Sequence, residues 1–175
     1  MLTNVLPPVA DIVADAAGNL YVAGYIGNGW TIAVYSPTAN GPSSPTRTID
    51  FAADGTSIIY GVAVDSAGDI FANVGSGSYN GQWVIEEFAP GANGAATPIK
   101  TINLTAVSSW QIAGGGPVRV DGAGNIFTSL QLEDPQTALS VINFYGFAPD
   151  ATGDATPTVQ IAPPGGGYNG FLALN

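Results

Sequence analysis

The segment Asp15-Ala16-Ala17-Gly18-Asn19-Leu20-Tyr21 returns as Asp65-Ser66-Ala67-Gly68-Asp69-Ile70-Phe71 and again as Asp121-Gly122-Ala123-Gly124-Asn125-Ile126-Phe127. This recurrence decides the fold. A second motif follows each copy: Tyr35-Ser36-Pro37 with Asn40-Gly41, Phe88-Ala89-Pro90 with Asn93-Gly94, and Phe147-Ala148-Pro149 with Thr152-Gly153. A third closes each unit: Pro45 to Thr48-Ile49, Pro98 to Thr101-Ile102, and Pro157 to Gln160-Ile161. Three motifs in one order, three times over, define a repeat whose aspartates lie 50 and 56 residues apart.

Each unit reads as four short strands, A to D. An apolar run such as Gly61-Val62-Ala63-Val64 or Pro117-Val118-Arg119-Val120 precedes the aspartate. Asp15/Gly18, Asp65/Gly68 and Asp121/Gly124 then form the A–B turn, with glycine supplying positive φ and aspartate bonding back to the local backbone. A β-rich run, the Pro/Gly turn and a fourth strand follow. Helical periodicity is absent, because Gly or Pro interrupts every window long enough to hold a helix. The expectation is an all-β chain of β-propeller-type blades, each of four antiparallel strands. A single domain spans 1–175, with blades at about 9–60, 61–116 and 117–169.

The pattern Val-Ala-Val-Asp-x-x-Gly-Asn-Ile-Tyr, with the Pro-x-Ala-x-Gly and Pro-x-x-Thr-Ile motifs after it, resembles bacterial NHL-like β-propeller repeats. That family is usually exported. It shares its scaffold with virginiamycin B lyase and the gluconolactonase enzymes. The resemblance implies architecture rather than activity, since one scaffold hosts many functions. The first enzyme type implies a catalytic histidine, and the chain has none. The second implies Glu, Asn and Asp together at the centre of a closed ring, and no motif here matches. No enzymatic activity and no cofactor are expected.

Composition narrows the partners. Three basic and 13 acidic residues give a net charge of −10, which disfavours nucleic acid and anionic membrane surfaces. Without cysteine or histidine, zinc sites, thiol chemistry and histidine general bases are excluded. No apolar run reaches the ~18 residues of a membrane-spanning helix, so no membrane insertion is expected. The start, Met1 to Pro8, lacks the basic and apolar regions of a signal peptide; an extracellular or cell-surface setting is nevertheless expected, with no export signal in this chain.

The ends run out of phase with the blades. Thr3-Asn4-Val5-Leu6-Pro7-Pro8 parallels Val159 to Pro164, and Phe171-Leu172-Ala173-Leu174-Asn175 parallels Gly61 to Asp65. Spare strands are therefore expected at about 2–7 and 171–175, with Val5, Leu6, Phe171, Leu172 and Leu174 as candidate assembly residues. Closed propellers have about 4–8 blades, so three leave open edges that template pairing with another chain. A homo-oligomeric ring, an open filament, or a piece of a longer propeller each satisfies this geometry.

The B–C and D–A connections vary in length while the A–B and C–D turns do not, which concentrates variation on one rim. Variable loops on a rigid scaffold are where recognition resides. Tyr79 and Trp110, with Tyr60 and Tyr168 near strand starts, form the candidate ligand or partner face, for carbohydrate or protein. Trp30 and Trp83 occupy equivalent places and read as inter-blade packing. The aspartate turns lack the converging oxygens of a calcium site. Arg47 and Lys100 read as the solvent side of an outer strand, and Arg119 as a charge seeking a carboxylate or lining the axis. Glu86 and Glu87 point to opposite faces and make no catalytic pair. Asn103-Leu104-Thr105 is a glycosylation sequon of little weight.

Overall fold

A computed structural model describes residues 9–27, 29–51, 57–76 and 81–163. They form three four-stranded antiparallel sheets, each consecutive in sequence. Blade 1 holds β1 (Val9–Ala14), β2 (Leu20–Ile26), β3 (Gly29–Tyr35) and β4 (Arg47–Asp50). Blade 2 holds β5 (Ser57–Val64), β6 (Ile70–Ser76), β7 (Trp83–Phe88) and β8 (Lys100–Asn103). Blade 3 holds β9 (Gln111–Val120), β10 (Ile126–Glu133), β11 (Ser140–Phe147) and β12 (Val159–Ile161).

The first two motifs repeat together because they meet in space. Asp15 Oδ1 accepts from the backbone N–H groups of Ala17 (2.9 Å) and Asn19 (2.8 Å), and Asp15 Oδ2 accepts from Asn19 Nδ2 at 2.8 Å. Asp121 makes the same set with Ala123 and Asn125. The turn glycines lie at φ +82°, +87° and +84°, where any other residue is strained. A Cβ on Gly18 would also sit 3.1 Å from Pro37 Cβ, with Pro90 and Pro149 at 3.3 Å in the other blades. The A–B turn thus rests on the C–D proline of its own blade, and neither motif drifts independently.

The hydrophobic core lies between sheets. One cluster joins blades 1 and 2 through Tyr21, Ile32, Ile49, Val62, Ile70 and Phe88. A second joins blades 2 and 3 through Phe71, Trp83, Ile85, Ile102, Val118 and Ile126. Strand alternation puts every other residue on each face, so the inner blade, blade 2, has two buried faces.

Strand A starts earlier than the repeat suggested. β5 begins at Ser57 and β9 at Gln111, ahead of the expected boundaries at 61 and 117. The reason is a bulge: register skips Tyr60 between Ile59 and Gly61, and an equivalent shift interrupts β9 opposite Thr128 and Leu130. Gly and Pro at 61 and 114–117 read as a strand boundary but occupy the bulged middle of a longer strand. Gly61 is required by close approach, since its Cβ would lie 2.6 Å from Pro117 Cα of the next blade. One 3₁₀ turn, Leu104–Val107, follows β8 where no helical element was expected.

Candidate functional site

The two junctions between blades use the same device. Ile49 of β4 forms a parallel bridge with Gly94 in the C–D turn of blade 2, and Ile102 of β8 does the same with Gly153 of blade 3. The Asp50 N–H donates to the Gly94 carbonyl at 2.8 Å, and the Gly94 N–H donates to the Thr48 carbonyl at 2.6 Å. Asn103, Gly153 and Thr101 repeat this pair, at 2.7 Å each. A cation adds to it. Arg47 Nη1 donates to the Ala92 carbonyl at 2.7 Å, and Lys100 Nζ to the Pro149 carbonyl at 3.2 Å. These two side chains, expected to face solvent on an outer strand, also fasten each blade to the next one's turn, and that of Lys100 stays 39% exposed. Lys100 also pairs with Glu87 at 3.1 Å.

The outer blades present the halves of this device that lack a neighbour among the described residues. Ile12 and Leu20 on blade 1 are 56% and 41% exposed, whereas their counterparts Val62, Val118 and Ile70 are fully buried and Ile126 is 1% exposed. Ile161 on β12 is 54% exposed, against 1% and 2% for Ile49 and Ile102. Val159 replaces the cation of the other two fourth strands. Val5, Leu6, Phe171, Leu172 and Leu174, expected to form spare strands at these ends, lie outside the described residues, as do Tyr79 and Tyr168.

Toward the axis, the three A strands are tied by charge. Arg119 of β9 pairs with Asp11 of β1, Nη1 to Oδ2 at 2.7 Å and Nη2 to Oδ1 at 3.3 Å. Asp11 Oδ2 also accepts from the Val62 N–H of β5 at 3.1 Å, while Arg119 Nη1 donates to the Val118 carbonyl at 2.7 Å. One group from each blade therefore converges, and both charges are well satisfied. Asp11 was not singled out from the sequence. The available signal was its acidity in strand A, where the other blades carry Gly61 and Pro117, with Arg119 as the other charge in an A strand.

Between blades 2 and 3 lies an open groove of about 510 Å³, lined among others by Gln82, Trp83, Asn103, Ser109, Trp110 and Gln111. Trp110 is half-buried against the blade 2–3 cluster. Trp83 is buried, its ring covering Gly75, and its Nε1 has no hydrogen-bond partner among the described residues. Tyr60, expected near a strand start on the variable rim, sits within β5 and packs at a tilt against Trp83 with ring centroids 5.0 Å apart. The bulge turns its side chain inward, where burial raises the phenol pKa. Asn103, the sequon residue, is occupied: its Nδ2 donates to Asp154 at 2.7 Å and its Oδ1 accepts from Thr105. The loop at Glu133-Asp134 is self-organised, with Asp134 accepting from the Gln136 N–H and the Thr137 hydroxyl, bonds that lower its pKa.

Among the described residues, no three Asp or Glu side chains converge as a metal site would require. No protein-family model matches the chain, and no curated protein does. A solved structure, the tail fiber of Staphylococcus aureus phage P68, superposes with a TM-score of 0.52 at 16% identity, over 79% of this chain. The fold is similar to part of a phage tail fiber. The match covers 28% of that fiber. Identity this low speaks to the arrangement of strands alone.

Proposed function

We propose that this chain is a non-enzymatic structural module of an extracellular assembly, self-associating through the outward faces of blades 1 and 3. The observation that carries the reading is the exposure of Ile12, Leu20 and Ile161 at positions buried in both of the other blades. Burying a side chain of this size favours association by about 1.5–3 kcal/mol. The blade 1–2 and 2–3 junctions provide the template: β12 offers the backbone edge that β4 and β8 present to a neighbouring turn, and Gly41 offers the turn. In this reading the blades are NHL-like repeats whose scaffold serves shape rather than catalysis. A tail fiber of similar fold is consistent with such use.

The test is particle mass and shape, by light scattering and electron microscopy on one sample. A dimer or polymer that Leu20→Asp returns to monomer supports the reading. A folded monomer at high concentration, unchanged by Leu20→Asp, overturns it.

A further inference from the structure

We infer that the groove between blades 2 and 3 is a binding site for neutral oligosaccharides. This rests on the groove itself and not on self-association, since every residue used belongs to blades 2 and 3 or to the connection between them.

Size admits a small ligand: about 510 Å³ falls within the ~300–1,000 Å³ typical of such sites. Chemistry selects its class. The groove's lining carries indoles, amides and hydroxyls beside Gly81 and Ile112, and among the described residues no charged side chain lines it. A charged ligand would leave water without a counter-charge here, whereas an uncharged polyol loses only hydrogen bonds that amides and hydroxyls replace. Gln82 and Ser109 are exposed at the edge, and a carboxamide both donates and accepts, as a sugar hydroxyl does.

The apolar side is equally specific. A sugar ring carries a C–H face that packs against an aromatic surface, and Trp110 supplies one held rigid by the cluster beneath it. Rigidity matters because an anchored indole loses little conformational freedom on binding.

The experiment titrates the whole chain by calorimetry and ligand-observed NMR with cellohexaose, maltohexaose, xylohexaose and N-acetylchitohexaose. Trigalacturonic acid serves as the charged comparison. At least one neutral sugar is expected to bind with a Kd of ~0.01–1 mM, weakened about tenfold by Trp110→Ala. Gln82→Ala, at an exposed position that does not support the core, is expected to weaken the same sugar about threefold. Trp110→Phe should recover part of the loss. The proposal is overturned if no neutral sugar binds at ~5 mM, if binding ignores both Trp110→Ala and Gln82→Ala, or if the acidic sugar binds as well as the neutral ones. The two titrations are read at equal particle mass, so a failure of self-association does not register as a failure of the groove.

Discussion

Blade 1 and blade 2 present nearly the same face to the preceding position in the repeat, yet one face is core and the other is surface. On blade 2 it is Val62, Ile70 and Phe88, packed against blade 1. On blade 1 it is Ile12, Leu20 and Tyr35, with no sheet over them among the described residues. Local sequence therefore decides that a blade forms, while a neighbour decides whether its face is inside. A repeat cannot distinguish the two, because the apolar pattern that marks a core position also marks a face awaiting a partner.

The sharpest way to break this equivalence is to truncate both members of a pair. Ile70→Ala should destabilise by about 2–4 kcal/mol, since a buried Ile leaves a cavity that sheets on both sides cannot fill. Leu20→Ala at the same repeat position should cost below about 1 kcal/mol in dilute solution, where the residue is already 41% exposed. Urea unfolding of both variants at two protein concentrations checks this. A Leu20→Ala cost that grows with concentration shows the face being buried by association. Equal costs at high dilution would mean that blade 1 is covered within a single chain.

Next in size is the tie across three blades. Removing Arg119 leaves the Asp11 carboxylate partly buried beside Val62 with its guanidinium gone, and the expected loss is about 2–3 kcal/mol. Replacing both, Asp11→Leu with Arg119→Met, should restore much of that stability, because what costs most is the unpaired charge. A double-mutant cycle by thermal unfolding reads the coupling. Additive losses would show that the two residues act separately.

The fold was legible in the sequence because the repeat supplies its own internal alignment. Asp15, Asp65 and Asp121 mark turns whose hydrogen bonds are local, and each turn glycine declares its backbone geometry by being glycine. What stayed hidden was anything that passes between blades. Arg47 and Lys100 read as solvent-facing because a strand pattern gives the face and not the length of the reach; their partners, Ala92 and Pro149, are backbone carbonyls that no side-chain motif announces. Tyr60 was misplaced because a bulge resets the two-residue alternation without leaving an obvious mark in an apolar strand. Trp110 was visible as an aromatic in a variable connection, while the amides around Gln82 and Gln111 were not, since polar residues in loops carry no signal until packing brings them together.

The smallest expected effect compares the turns themselves. Blades 1 and 3 place Asn19 and Asn125 where blade 2 has Asp69, and an amide donates to the preceding aspartate where a carboxylate cannot. The consequence is a divergence in acidity. The Asn19 side-chain bond, with backbone bonds behind it, lowers the Asp15 pKa despite some burial, and Asn125 does the same for Asp121. Burial first, and then the Asp65 carboxylate, raise that of Asp69, with Lys100 opposing them. An acid whose folded pKa is raised binds its proton more tightly when folded, so it destabilises above that pKa and ceases to do so below the unfolded value near 3.8. Asp69→Asn should therefore stabilise at pH 7 by about 0.5–1 kcal/mol, the worth of one recovered hydrogen bond near the surface. The gain should shrink as pH falls toward 3.8 and below, where Asp69 is neutral in both states. Asp15 runs the other way, contributing stability above 3.8 that is lost as pH falls through its depressed folded value. Urea midpoints of the parent and Asp69→Asn at pH 7 and pH 3 separate the two effects. A gain at pH 7 that persists unchanged at pH 3 would assign the difference to packing rather than to the facing carboxylates.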